Sequence, residues 1–258
     1  MELSTVLYTV AEHVATISLN RTKAMNALNK QIFVDLTTAF EAALADAEVR
    51  CVILKGEGRC FCAGGDIAEM VGITDPDEFA AFIATANNFS TLLNGFAKPV
   101  IAAAHGAIAG AGTSLVMHAD IAVVADNAMF IVAFGQVGLV PDCGCNYLLP
   151  RAVGPNIAKE LMLTQRAVKA DEMKTLGLAN KVVAADALMD EAMKLAKKIA
   201  KGPINAYGLS KAMMNKAHES TLKEILDDEG VAQTKARTNF NGGEGLTAFL
   251  EKRPAQFQ

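Results

Sequence analysis

The sequence predicts an α/β fold with a helical C-terminal region, and three observations carry that expectation. A short apolar strand, a glycine turn and a helical pattern succeed one another twice, first at Cys51–Leu54 followed by C-A-G-G-D-I, then at Val100–Ala104 followed by the turn from Gly106 to Gly112. No hairpin turn signal joins these strands, so each is expected to reach the next through a crossover connection. Beyond Val183 the apolar residues keep only a helical period.

The elements follow in order. From Val14 to Leu19, Ala15, Ile17 and Leu19 alternate with small polar residues, the period of a half-buried strand. After the loop N-R-T-K-A-M-N-A-L-N, apolar residues recur at Phe33, Leu36, Phe40, Ala43 and Ala47, which predicts a helix from Ile32 to about Asp46. Cys51–Leu54 is the next strand, ended by K-G-E-G-R, and C-A-G-G-D-I opens another helix. Val100–Ala104 is a strand, Gly106–Gly112 a turn, the residues up to His118 a helix, and Ile121–Val124 a strand again. Helices are expected at Ala187–Ala200, Ile204–Lys216 and Leu222–Phe240, with Gly202-Pro203 separating the first two. The chain thus divides into a core over residues 1–190 and a helical region over 191–258.

Composition bounds the function. With 52% hydrophobic and 20% charged residues, 258 residues can bury one substantial core. A net charge of −4 supplies no field that would draw the protein onto nucleic acid or an anionic membrane, so an anionic ligand must be held by local groups. The N-terminal M-E-L-S-T-V-L-Y-T-V has no basic segment leading into an apolar one, and a cytoplasmic location is the expectation. Val100–Ala119 is uncharged and contains G-x-x-x-G, but His105, His118 and the glycine-alanine texture point to a buried strand, turn and helix rather than a membrane span. Five cysteines, an odd number, suit reduced thiols, and the C-x-C spacing of Cys60/Cys62 and Cys143/Cys145 is too tight for the usual zinc pattern, so no metal is expected.

Two turns carry candidate chemistry. C-A-G-G-D-I (Cys62–Ile67) and H-G-A-I-A-G-A-G-T-S-L (His105–Leu115) each place small residues between a strand and a helix, where unpaired N–H groups are available and a ligand oxygen can approach the main chain. Together they could aim two N–H donors at one oxygen, the arrangement that stabilises charge developing on a carbonyl. Tight helix packing would use the same small residues.

The loop K-A-M-N-A-L-N (Lys23–Asn29), F-C-A-G-G-D-I, K-P-V-I-A-A-A-H-G-A-I-A-G-A-G-T-S-L and the closing F-L-E-K-R-P-A-Q-F occur in the order and spacing of the crotonase (enoyl-CoA hydratase/isomerase) superfamily, which the chain resembles over its whole length. The resemblance implies a spiral of ββα units, a C-terminal trimerisation region in a homotrimer or hexamer, and a coenzyme A thioester as substrate with no further cofactor. By position it assigns the two oxyanion-holding amides to Gly65 and Ala111. It puts the adenine and pantetheine near Ala27, Ala63, Asp66 and Ile67, with Phe249 and Lys252 reaching a neighbouring subunit's ligand.

The same resemblance separates two activities. Hydratases of the family use two glutamates, and the matching positions hold Ser114 and Phe134, neither of which is a general base near neutral pH. A different carboxylate, Asp142, stands in the Pro-Asp-Cys-Gly turn. Alone it reads as a turn former or helix cap, but the segment Phe134–Gly154 resembles that of 2-(1,2-epoxy-1,2-dihydrophenyl)acetyl-CoA isomerases and related enoyl-CoA isomerases, where the aspartate is the acid/base. Double-bond isomerisation by Asp142 is therefore expected, with burial between Phe134, Leu139 and Val140 raising its pKa. Cys145 departs from those relatives, which carry glycine there, and is expected to reshape the acyl pocket. The alternatives are a hydratase-like enzyme of altered activity and a non-catalytic acyl-CoA-binding homologue. A dehalogenase reading requires a histidine where this chain has Asn87.

Overall fold

In the computed structural model, which describes residues 2–258, two sheets share a spiral. The larger runs in the order β1 (Val6–Ala11), β2 (Val14–Leu19), β3 (Cys51–Gly56), β4 (Val100–Ala104), β6 (Ile121–Ala125) and β9 (Lys181–Val183), and the smaller joins β5 (Ala107–Ala109), β7 (Met129–Ile131) and β8 (Val168–Lys169). Every pairing in the larger sheet after β1–β2 is parallel, so the expected crossovers are present.

Each turn of the spiral gives one strand to the large sheet, then a strand or single bridge to the small one, then a helix. β2 is followed by Leu28, which bridges to Gly65, and by α1 (Lys30–Ala45). β3 is followed by Cys62, which bridges to Ile108 in β5, and by α2 (Ile67–Gly72) and α3 (Pro76–Asn94). β4 leads directly to β5 and α4 (Ala111–His118), and β6 leads to β7. Successive turns are therefore hydrogen-bonded neighbours at their corners. The mixed α/β fold with C-terminal helices agrees with the sequence expectation.

Both faces of the large sheet are covered, which explains why β4 reads as an unbroken apolar run with all five residues buried. On one face Phe33 and Phe40 of α1 meet Phe82 and Phe89 of α3 and Phe96, with edge-on rings at 5.1 Å for Phe40–Phe96 and 5.5 Å for Phe40–Phe89. On the other, α8 (Leu188–Ala200) lays Leu188, Ala192, Ala196 and Ala200 against Val14, Ile53, Ile101 and Val123. Alanines four residues apart let this helix approach the sheet closely.

Two differences from the sequence reading have physical causes. The chain begins with a hairpin, β1–β2, whose two turn residues Glu12 and His13 both have positive φ (49° and 66°). Two-residue hairpin turns need that conformation and normally signal it with Asn-Gly or Asp-Gly, which is absent here. The boundary drawn at residue 190 falls inside α8, and that helix lies on the core sheet. The part that leaves it comprises α9 (Ile204–Lys216), α10 (Leu222–Thr238) and α11 (Phe240–Leu250), of which α9 and α10 bury no residue.

Between β7 and α8 the chain adds α5 (Cys145–Val153), α6 (Pro155–Thr164) and α7 (Ala170–Thr175). Among the described residues no helix is long and apolar enough to cross a membrane.

Candidate active site

The site is assembled where two successive corners of the spiral touch. Gly64 has φ +104° and Gly110 φ +49°, and a Cβ added to either would lie 3.4–3.5 Å from the other's Cα. The two glycine turns are thus in backbone contact, and the residues that follow them, Gly65 and Ala111, are side by side.

Their N–H groups are available for a ligand. Around the Leu28–Gly65 bridge the hydrogen bonds run from Leu28 N to Gly64 O and from Asp66 N to Leu28 O, so among the described residues the Gly65 N–H donates to no backbone carbonyl. Ala111 is the first residue of α4, where an intrahelical partner is impossible. Two donors from adjacent turns, one of them at a helix N-terminus, suit an oxygen that gains negative charge.

Asn26 fixes the loop beneath them. It is fully buried, and its side-chain amide donates to the carbonyls of Glu57, Cys60 and Phe61 while its oxygen accepts from Arg21 N. Sequence reasoning missed this residue, because the three carbonyls it holds lie 31–35 positions away and one asparagine in a loop gives no pattern.

Gly65 and Ala111 line a cavity of about 190 Å³ together with Ala63, Ile67, Met70, Phe134, Leu139 and Asp142. The structure thus brings together the two amides and the carboxylate that the resemblance singled out. Among the described residues, the Asp142 Oδ1 is buried with no hydrogen-bond partner. Burial pushes the carboxyl pKa above its ordinary value, and hydrogen bonds from the Cys143 thiol and from its own backbone offset part of the rise. Phe134 and Leu139 contribute to that enclosure as expected. Val140 does not, being 77% exposed.

Ser114 and Phe134 are buried, the latter on the cavity wall. Ser114 Oγ donates to the main-chain carbonyl of Asp142 at 3.1 Å. Cys145 does not line the cavity. Its thiol packs beside Thr113 and Ser114, and the residue lines a separate apolar hollow with Leu149, Pro150 and Met162, so any effect on the acyl pocket passes through the turn and not through direct contact.

The residues assigned to coenzyme A divide into two groups. Ala63 and Ile67 line the cavity, whereas Ala27 and Asp66 do not; Asp66 caps α2 by accepting from Glu69 N and pairs with Arg21 at 2.8 Å. Burial pushes the Asp66 pKa up, but hydrogen bonds from Arg21 and from the helix amides outweigh it and hold the carboxyl below its usual range. Arg21 also donates to the Ala27 carbonyl, tying the two loops together. Phe249 and Lys252, at and just beyond the end of α11, are exposed and line no part of this cavity in the single chain.

The histidines that flank the second turn are occupied by main-chain carbonyls, His105 by Gly58 at 2.8 Å and His118 by Cys143 at 3.0 Å. Burial lowers the His118 pKa, which keeps the ring neutral at physiological pH. All five cysteines are buried and free, with burial pushing Cys51 and Cys62 up to about 12. Among the described residues no three His, Cys, Asp or Glu side chains converge on a metal-sized site.

Comparison with known proteins shows the family. The enoyl-CoA hydratase/isomerase family model matches residues 9–258. The chain is 36% identical to the 1,2-epoxyphenylacetyl-CoA isomerase of Escherichia coli (strain K12), covering 98% of this chain and 97% of that one. It is 37% identical to the crotonyl-CoA hydratase of Syntrophomonas wolfei, covering 100% and 99%. An enoyl-CoA hydratase structure from Polaromonas sp. JS666 superimposes with a TM-score of 0.95 at 34% identity, over 98% of this chain and 99% of that one.

Proposed function

The chain belongs to the enoyl-CoA hydratase/isomerase family, and from that premise we propose that it is an enoyl-CoA isomerase whose acid/base is Asp142. One observation carries the reading: Asp142, whose Oδ1 is buried and unpartnered among the described residues, lines the same small cavity as Gly65 and Ala111, whose N–H groups have no backbone partner there.

The thioester oxygen of a 3-enoyl-CoA accepts hydrogen bonds from Gly65 and Ala111. Asp142, as carboxylate, removes a proton from the α-carbon, and the charge spreads over the dienolate onto the oxygen held by the two amides. Asp142 then returns that proton to the γ-carbon, giving the conjugated 2-enoyl thioester. One carboxyl group suffices because the proton it takes is the proton it gives back, and a pKa raised by burial suits both halves. Hydration would need a second group to activate water. The two candidate positions hold Phe134, which is apolar, and Ser114, whose hydroxyl is already engaged by the Asp142 carbonyl. That pairing favours isomerisation even though relatives of similar identity include a named hydratase.

The coenzyme A lies along Ala27, Ala63, Asp66 and Ile67, and no further cofactor takes part. The exposed apolar residues of the C-terminal helices, among them Leu222, Phe240, Phe249 and Leu250, support a homotrimer or a dimer of trimers in which Phe249 and Lys252 reach a neighbour's ligand. The test is turnover of a 3-enoyl-CoA, followed as the ultraviolet absorbance of the conjugated product. Asp142→Asn should bind the thioester normally and turn over at least about 10²-fold slower. Full activity in Asp142→Ala would remove the mechanism. Water-dependent loss of 2-enoyl-CoA at a comparable rate would favour the hydratase reading, and binding of acyl-CoA with no turnover of any enoyl-CoA would favour a non-catalytic homologue.

A further inference from the structure

Within that reading, we propose that Ser114 and His118 are positioning residues that clamp the Asp142–Cys143 main chain, so that one helix sets both the amide of Ala111 and the aim of the acid. Among the described residues the Asp142 Oδ1 has no hydrogen-bond partner, and the bonds the carboxyl does accept come from the Cys143 thiol and the Asp142 backbone. Its direction therefore depends on how that two-residue segment is held.

That backbone is held from α4. Ser114 Oγ donates to Asp142 O at 3.1 Å, and His118 Nε2, one helical turn further on, lies 3.0 Å from Cys143 O. A carbonyl only accepts, so the ring carries its proton on Nε2. Ser114 is fully buried, so water cannot readily replace its bond, and His118 is half-buried with its Nδ1 shielded from solvent.

The turn needs such restraint. Cys143 has φ +48°, a left-handed conformation that strains a side-chain-bearing residue, and Gly144 follows at φ +81°. A Cβ on Gly144 would sit 3.0 Å from His118 Nε2, so glycine there leaves room for the imidazole. Ala111, Ser114 and His118 lie at the first, fourth and eighth positions of one eight-residue helix. Sequence reasoning treated Ser114 only as a lost glutamate and His118 only as a mark against a membrane span.

The experiment compares Ser114→Ala, His118→Leu and the rescue variant His118→Gln, whose amide nitrogen can stand in for Nε2. Thermal unfolding of each confirms that it folds. Because a shift of about 1 Å at a reacting group costs on the order of 10²-fold, Ser114→Ala and His118→Leu should lose about tenfold to 10²-fold in kcat for 3-enoyl-CoA, with affinity for a saturated acyl-CoA unchanged within about twofold. The acid limb of the kcat profile should move toward an ordinary carboxylate as the carboxyl gains water, and His118→Gln should recover most of the rate. Folded Ser114→Ala and His118→Leu with wild-type kcat and pH profile overturn the clamp while leaving the isomerase reading intact, provided Asp142→Asn is slow. Should His118→Leu fail to fold, Ser114→Ala and His118→Gln decide: wild-type kcat and pH profile in Ser114→Ala overturn the clamp, and a tenfold loss there with recovery in His118→Gln supports it. If Asp142→Asn is fully active, both the reading and the clamp fall.

Discussion

Gly112 offers a way to alter the site without touching its lining. A Cβ placed there would lie 2.8 Å from the Cβ of Cys62 and 3.0 Å from both its carbonyl oxygen and its Sγ. Two of those contacts are with atoms close to the backbone, so no flexible side-chain end can swing aside, and the gap must open by about 0.6 Å to reach ordinary van der Waals distance. Cys62 belongs to the spiral turn that carries Gly65, and Gly112 follows Ala111, so the substitution wedges the two N–H donors apart. Overpacking of this kind costs about 1–3 kcal/mol, which in a chain of this size lowers Tm by roughly 2–4 °C per kcal/mol. Loss of one donor's alignment costs on the order of 10²-fold in rate. Gly112→Ala should therefore unfold earlier by calorimetry and lose at least about tenfold in kcat for 3-enoyl-CoA, with little change in binding of a saturated acyl-CoA. Gly72→Ala is the control, since nothing lies within 4 Å of its added Cβ. Unchanged Tm and kcat in Gly112→Ala would refute the claim that contact between the turns sets the donor spacing.

Other expectations follow from titration and burial. Because burial raises the Asp142 pKa above its value of 3.8, the folded chain binds a proton there that the unfolded chain has released, so its contribution to stability falls as pH rises from about 4 through the folded pKa; Asp142→Asn should gain Tm relative to wild type as pH increases over that window, and a constant difference would contradict it. Asp35 behaves oppositely. It accepts from the backbone and side chains of Ser4 and Thr5 and from Gln31, and although burial pushes its pKa up, these bonds hold the carboxyl below its ordinary range. Its contribution is present above the unfolded pKa and is lost as pH falls through the folded one, and Asp35→Ala should cost about 2–4 kcal/mol in urea denaturation at pH 7. All five thiols are buried, so a disulfide reagent should label less than about one per native chain at pH 8 and five after denaturation.

The parts of the fold that were legible in the sequence are those whose signal is local. β2 and α1 carry their own period, β3 and β4 are unbroken apolar runs between turn signals, and the glycine turns carry the residues assigned as the site's two amides. What escaped depends on distant partners or short lengths. β1 lies at the sheet edge with Leu7 and Val10 exposed, so burial leaves little alternation to read, and its Glu12-His13 turn lacks the usual residues. β5, β7, β8 and β9 have two or three residues each, too few for any period to appear. Asp142 could be placed in a turn but not in a cavity, because its neighbours there come from α2, α4 and the segment around Phe134. The role of Ser114 was hidden for the same reason, since its partner lies 28 residues away.

The two amides belong to consecutive storeys of the coil rather than to one loop, which makes their separation a matter of pitch. Anything packed between storeys, far from the thioester, adjusts that pitch: the bulk behind Cys62, the fit of α4, the grip of Asn26 on three carbonyls. Grafting the lining residues onto a relative with a differently filled interior should therefore transfer preference for an acyl group more readily than it transfers speed.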